Sequence, residues 1–333
     1  MEIQPPPSYQ FLFIMDPYPT LNLETETSLL LMGELLSLGH MVYWTEASQL
    51  ILRQNRVFGI TKRVHAVEPF LLASAEEEPL NRFDVVLMRN DPPFNVSYLH
   101  LTYMLDFLDS KVVQFNPARS VRNANEKLFA LNWPEWVPPT ITTMYAPALE
   151  AFLECHGKIV VKPIEDCSGR GIEFLNACQP DAHRRIAAVV TGSDGKGRFV
   201  TAQKFLEQVL EGDKRVYLVN GKPLGIVNRI PAVGSFLANI HQGARCMATE
   251  LTNREEQIIQ AIAPLLREMG LFLVGLDLIG ELITEINLTS PSAVRQINQV
   301  MGKQIEKEIV VAMLEYVGAH QESVNQNAFR KSS

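Results

Sequence analysis

The sequence predicts an α/β chain, an opening α/β unit followed by two smaller α+β units, and three observations carry that prediction. Short apolar runs such as Phe11 to Met15 and Phe83 to Met88 end in polar loops, the pattern of buried strands that deliver a loop at their carboxyl ends. Helical periodicity follows each run. Further along, Asn220-Gly221 sits between two strand-like runs, the strongest short hairpin signal a sequence offers.

Taken in order, Phe11 to Met15 reads as a strand stopped by Asp16-Pro17. Glu26 to Leu38 carries a helical apolar pattern closed by Gly39, and His40 to Trp44 is a second strand. Phe83 to Met88 runs into Arg89-Asn90-Asp91-Pro92-Pro93, with a helix over Tyr98 to Leu108 and a short strand over Val112 to Phe115. Tryptophans and prolines interrupt Leu128 to Pro147, so a boundary is expected near residue 125. Beyond it come a strand over Lys158 to Lys162, a polar loop over Glu165 to Gly171, a strand from Ile172, a helix near Pro180 to Val190 and a strand over Phe199 to Phe205. The last unit has strands over Arg215 to Val219 and Pro223 to Ile230, a polar loop over Ala232 to Ala248, a helix over Asn253 to Met269, and a hairpin of Phe272 to Ile279 with Ile283 to Asn287. Residues after about 320 are polar and read as a frayed tail. The expected division is therefore 1–125, 126–206, 207–320 and a tail over 321–333.

At 333 residues with 47% apolar and 20% charged side chains, the chain has well-developed cores and is too long for a single one. Its formal charge of −7 disfavours binding to a nucleic-acid backbone. Four cysteines without a CxxC pair suggest neither a disulfide framework nor zinc. The acidic, proline-bearing start and the short FLFIM run suggest neither a signal sequence nor a membrane span, and a cytoplasmic location is expected.

Acid and amide side chains interrupt the apolar final hairpin. Glu285 and Asn287, two apart, share one face of their strand. A three-residue turn at Gly280-Glu281-Leu282 would set Asp277 opposite Glu285 on that face, whereas a two-residue turn would send them to opposite faces, and the three-residue turn is the expectation. Three oxygen-bearing side chains on one face make a hard-cation site; a solvated hairpin is the bland alternative, against which the flanking Val274, Leu276, Leu278 and Ile286 argue. Lys162 ends a strand beside a glycine-bearing loop and suits a phosphate, although a snorkelling lysine accounts for it equally well. Lys127 is similarly ambiguous. Arg215 and Arg229 can converge on a phosphate or carboxylate, or form surface ion pairs. HExxH, GxSxG and GxGxxG are all absent, which removes zinc hydrolases, serine hydrolases and Rossmann dehydrogenases.

Together the segments Met15-Asp16-Pro17, MRNDPPF at 88–94, NEKL at 125–128, VKP at 161–163, GDKRV at 212–216, RIP at 229–231 and GLDLIGELITEINLTSPS at 275–292 resemble the ATP-grasp superfamily, and within it prokaryotic glutathione synthetase, over nearly the whole chain. The resemblance implies an ATP-grasp fold: an N-terminal α/β domain that helps to bind a peptide, and two α+β subdomains that hold ATP between their sheets. It implies that Lys127, Lys162, Ser168, Gly169 and Asp213 belong to the nucleotide site, and that Gln203, Lys204, Phe205 and Leu206 form a hinge whose backbone reads adenine. It makes Asp277, Glu285 and Asn287 ligands of Mg2+ or Mn2+, and Arg215 and Arg229 catalytic arginines beside the transferred phosphoryl group. Asp16, Arg89, Asn239, Arg245, Thr289 and Ser290 fall in the substrate region. The implied reaction is ATP-dependent joining of glycine to γ-glutamylcysteine through an acyl phosphate, by a homo-oligomer (dimer or tetramer) with no nucleic-acid or membrane partner.

The sequence departs from the family at substrate and lid positions. Leu237 stands where an arginine is usual, Asp166 and Ser168 replace glycines, and Glu24 and Glu26 stand where lysines are common. A different amino-acid or peptide substrate pair is therefore the second reading. A catalytically weak nucleotide-binding regulator is the third.

Overall fold

The computed structural model describes residues 8–165, 171–192, 195–240 and 243–332, with side chains to 326. The first sheet holds β1 (Gln10–Met15), β2 (Met41–Glu46), β3 (Leu50–Arg53), β4 (Arg56–Val67), β5 (Phe70–Pro79), β6 (Val85–Met88) and β7 (Val113–Phe115). Its order is β3-β4-β2-β1-β6-β7 with β5 on β4; β2, β1, β6 and β7 run parallel, and β4 antiparallel to β2. Helices α1 (Ser28–Ser37) and α2 (Val96–Leu105) connect β1 to β2 and β6 to β7, and α3 (Ala118–Asn123) follows β7. The unbroken apolar run of β1 now has its reason. Phe11, Phe13 and Met15 enter one core and Leu12 and Ile14 another, because the strand is covered on both faces.

The second sheet, in the order β10-β9-β11-β8, is antiparallel and consists of β8 (Thr140–Thr143), β9 (Lys158–Pro163), β10 (Glu173–Asn176) and β11 (Val200–Lys204). Helices α4 (Ala146–His156) and α5 (Ala182–Thr191) close its core through Leu149, Leu153 and Ile186. No residue of this core belongs to another.

The third sheet, β14-β13-β12-β15-β16, comprises β12 (Asp213–Val219), β13 (Lys222–Ile230), β14 (Arg245–Met247), β15 (Leu273–Ile279) and β16 (Leu282–Asn287). One face packs on α6 (Asn253–Glu268), which starts with a Thr252/Glu255 capping box, through Ile258, Ile262 and Leu266. Tyr217, Val227 and Phe272 on its other side join Phe11, Phe13 and α1 in one core, which α7 (Val294–Met301) and α8 (Ile305–Ser332) complete with Ile297, Ile309 and Met313. Asn116 fastens the first sheet to the third. Its amide nitrogen donates to Leu273 O (2.7 Å) and Leu288 O (2.8 Å), and its oxygen accepts from Phe272 N (2.8 Å) and Leu273 N (2.9 Å). Among the described residues no helix is long and apolar enough to cross a membrane.

Three expectations are corrected. The tail continues as helix to Ser332 instead of fraying from 320. The 232–248 loop contains a short strand, β14, paired with β13. The final hairpin turns on two residues, Gly280 and Glu281, with φ of 55° and 60°, so Ile279 pairs with Leu282 and Leu278 with Ile283. A bulge at Thr284 then inserts one extra residue and brings Asp277 opposite Glu285 after all.

Candidate active site

A cavity of about 600 Å3 opens between the second and third sheets and reaches the carboxyl ends of β1 and β6. Its floor is the β15–β16 hairpin, where the bulge places Asp277 and Glu285 side by side, with Asn287 two residues on. Arg215, opposite Asp277 on β12, grips that carboxylate with both arms; Nε donates to Oδ1, and a terminal nitrogen donates to Oδ2 at 2.8 Å. Arg229, opposite Asp213 on β13, lies 2.8 Å from Asp213 Oδ2 and 3.0 Å from Asp277 Oδ1. Gly275 leaves room for this arrangement, since a Cβ there would come within 3.3 Å of the Arg215 guanidinium.

These charges set each other's ionisation. Burial alone would raise the Asp277 carboxyl, but Arg215 and Arg229 prevail and hold it down at about 2. Burial, with the charge of Asp277, pushes Asp213 up to about 6 against the pull of Arg229. Burial works against the charged Arg229, yet its two carboxylates outweigh that and raise its pKa. The consequences for stability have opposite signs. Asp277 contributes stability above the ordinary carboxylate pKa of about 4, lost as the pH falls through its folded value of about 2. Asp213 holds a proton that the unfolded chain has released, so its contribution falls as pH rises from about 4 towards 6.

Lys162 enters from β9 of the second sheet, and Lys127 from the segment whose Glu126 bonds to the outer edge of β16. Lys127 Nζ lies 3.1 Å from Glu285 Oε1, and Lys162 Nζ donates to Gln203 Oε1 at 3.0 Å. Burial lowers the pKa of Lys162, with Glu285 opposing and Lys127 adding to the fall. Gln203, Lys204, Phe205 and Leu206 line the neighbouring wall. Phe236, from the loop after β13, meets Phe174 and Phe205 with ring centroids 5.6 and 6.2 Å apart. Ser168 and Gly169 lie outside the described residues, as does Asp166.

At the far end, Arg89 is buried (3% exposed), and its two hydrogen bonds go to neutral oxygens, Ser28 Oγ (3.0 Å) and Pro291 O (2.9 Å). Its charge acts on the neighbouring Asp91 and favours that carboxylate's ionised form. Asp16 lies beside it, accepting from Asn90 Nδ2 (3.0 Å) and Asp91 N (2.9 Å). Asp91 is exposed to the cavity. Partial desolvation by the cavity walls, with the charges of Glu26 and Asp16, lifts its carboxyl to about 6 against Arg89 and a bond from Ser290. Asn239, Leu237, Thr289 and Ser290 also line the cavity.

Arg245 does not. It is exposed on β14 opposite Ile230, donating to Met247 Sδ at 3.2 Å, because the strand turns it to solvent. Three residues in the site were not singled out from the sequence: Asp91, Phe236 and Glu126. Glu126 is a buried carboxylate that accepts from Leu288 N (2.6 Å), Thr289 N (2.9 Å) and Thr289 Oγ1 (2.9 Å). Only its place in the NEKL segment pointed to it.

The donor set is all oxygen where a cation would sit. Asn287 Nδ2 donates to Gly275 O (3.2 Å) and Asp277 Oδ2 (3.1 Å), and its side chain lines the cavity with those of Asp277 and Glu285. Among the described residues no three His, Cys, Asp or Glu side chains cluster as a metal cage. Two carboxylates and an amide fit a hard cation that completes its shell with phosphate oxygens and water.

The same architecture appears in solved structures. D-cycloserine synthetase DcsG superposes with a TM-score of 0.66 at 14% identity, covering 92% of this chain and 99% of that one. D-alanyl-alanine synthetase A from Vibrio cholerae superposes with a TM-score of 0.59 at 16% identity, covering 93% and 98%. These likenesses show the fold, which is ATP-grasp. The sequence signature of the prokaryotic glutathione synthetase N-terminal domain matches residues 9–122, and that of the prokaryotic glutathione synthetase ATP-grasp domain matches 126–302. Glutathione synthetase from Thermosynechococcus vestitus is 37% identical over 313 residues (90% of this chain, 97% of the relative). The Coxiella burnetii glutathione synthetase is 35% identical over 304 residues (89% and 94%). The chain belongs to the prokaryotic glutathione synthetase family.

Proposed function

We propose that the chain joins glycine to γ-glutamylcysteine at the expense of ATP. The observation that carries the reading is the charge layout of the cavity floor: Asp277, Glu285 and Asn287 on one face, ringed by Arg215, Arg229, Lys127 and Lys162. Such a site needs no protein nucleophile, because the chemistry is positioning and charge neutralisation. The peptide carboxylate attacks the γ-phosphorus and ADP leaves. The glycine nitrogen then attacks the acyl carbon, inorganic phosphate leaves with the bonding electrons, and the amine gives up a proton. Mg2+, held by Asp277, Glu285 and Asn287, would supply charge neutralisation on the phosphates.

Within this proposal, Lys127 and Lys162 bind phosphate oxygens, Asp213 orients Arg229, and residues 203–206 receive the adenine. Arg215 and Arg229 offset charge on the transferred group, and the Thr289-Ser290 turn and Asn239 border the acceptor. Arg89 takes the peptide's free α-carboxylate, and Asp16 and Asp91 its α-ammonium. Asp91 must be ionised for that task, so kcat/KM for the peptide is expected to fall as the pH drops below about 6. Asp91→Asn should lower kcat/KM at neutral pH and remove that acidic limb; a pH profile identical to the wild type's would remove Asp91 from the substrate site.

The function is tested by ATP-dependent phosphate release with Mg2+, γ-glutamylcysteine and glycine, and by the mass of the product. Glutathione is the expected product; turnover only with another amine or carboxylate would assign a different substrate pair. A cytoplasmic location is part of the proposal, supported by the free thiols of Cys155, Cys178 and Cys246. So is a homo-oligomer: α2 and the turn after it leave Val96, Tyr103 and Phe107 exposed, and light scattering would give its mass.

A further inference from the structure

We propose that Glu126 is the positioning residue that sets the cation-binding face, by acting as the missing outer neighbour of β16. The inference rests on the reading of Asp277, Glu285 and Asn287 as that face. β16 is the last strand of its sheet. Alternate N–H groups of an edge strand point away from the sheet, and buried ones need acceptors.

Here the outward N–H groups are those of Ile286 and Leu288, and both go to Glu126. Its backbone oxygen accepts from Ile286 N at 3.0 Å. Its carboxylate oxygen Oε1 accepts from Leu288 N at 2.6 Å and, one residue further, from Thr289 N and Oγ1 at 2.9 Å each. One residue thus fixes positions 286, 288 and 289, alternating with Glu285 and Asn287, which face the cavity. The adjacent Lys127 contacts Glu285 itself.

The anchoring is built in from the other side too. Asn125 receives Lys127 N (3.1 Å) and Leu128 N (3.3 Å) on its side-chain oxygen and donates to Ile164 O at 2.9 Å, beside the end of β9. The three residues 125–127 therefore tie the second sheet, a phosphate-side lysine and the cation face together.

A carboxylate is the strongest acceptor for three converging donors, but the geometry asks for an oxygen at the Oε1 position and not for a charge. Gln offers that oxygen. Asp is one methylene too short to reach both amides, and Ala offers nothing.

The test compares full-length wild type, Glu126→Ala, Glu126→Asp and Glu126→Gln for kcat, KM of each substrate, and Mn2+ binding in the presence of ADP, read from the electron paramagnetic resonance signal of free Mn2+. Glu126→Ala is expected to weaken Mn2+ binding and lower kcat by about 10- to 100-fold, the usual cost of losing a residue that orients metal ligands. The KM of the peptide should change less than threefold, roughly, and Glu126→Gln should restore both quantities to within about threefold. Should the Ala variant fail to fold, Glu126→Asp carries the same expectation. Wild-type Mn2+ binding and kcat in the Asp or Ala variant would overturn the positioning role, as would a Gln variant as impaired as Ala. Glu285→Gln, measured alongside, separates the two levels. If it too binds Mn2+ like the wild type, the cation face is wrongly assigned and the inference falls with it.

Discussion

Asp277→Asn is expected to lower the stability of the folded chain by about 3–5 kcal/mol and to abolish turnover. The reason lies in its partners. Arg215 and Arg229 are 7% and 3% exposed, and Asp277 accepts from one and pairs with the other. Without its charge, two buried guanidiniums share the single carboxylate of Asp213, whose own ionisation is already opposed by burial. The loss should appear in the urea midpoint at pH 7. It should shrink in the double variant Asp277→Asn, Arg215→Met, because removing one of the stranded cations relieves the excess charge. An unchanged midpoint, or additive losses in the double variant, would show that the triad is not the coupled unit its geometry describes.

Glu285→Gln should have the complementary phenotype: a fall in kcat/KM of roughly 10^3-fold, with stability held within about 1 kcal/mol. Glu285 stands opposite Asp277 in the ladder, but its side chain is 21% exposed and meets the cavity. Gln keeps the volume while weakening the oxygen offered to a cation. The variant should also need more divalent ion for half-maximal rate. Normal turnover at ordinary Mg2+ would exclude Glu285 from the metal site.

How far the sequence anticipated this arrangement is best seen in the hairpin that carries both residues. Asp277 and Glu285 were expected to face one another, and they do, but through a two-residue turn and a bulge at Thr284 instead of a three-residue turn. Each device shifts the register by one, so alternation alone could not tell them apart. The buried strands β1 and β6 were legible because both faces are covered and the apolar run is unbroken. The strands β4 and β5 were not. They form a hairpin extending from the sheet, and Glu76, Glu77 and Glu78 in succession hide its alternation. Among site residues, the charged groups in the last sheet were readable from their spacing and the resemblance together. Glu126 was not, since its partners lie more than 160 residues away along the chain, and no local pattern marks an edge strand's missing neighbour. The position of Arg245 off the cavity was not legible for the converse reason: a loop position said nothing about which way a short strand would turn it.

The separate core beneath β8 to β11 gives the molecule a mechanical asymmetry. First and third sheets share buried side chains and the four bonds of Asn116, so they behave as one anvil that carries the peptide end and the cation face together. The remaining sheet contributes no side chain to any of the other three cores and meets the third sheet's loop through Phe174 and Phe205 against Phe236, so it can swing as a jaw without tearing any apolar contact within those cores. Nucleotide would be gripped by the moving part against a fixed seat, and the stroke of that jaw, not any rearrangement of the peptide pocket, would time the exclusion of water from the acyl phosphate.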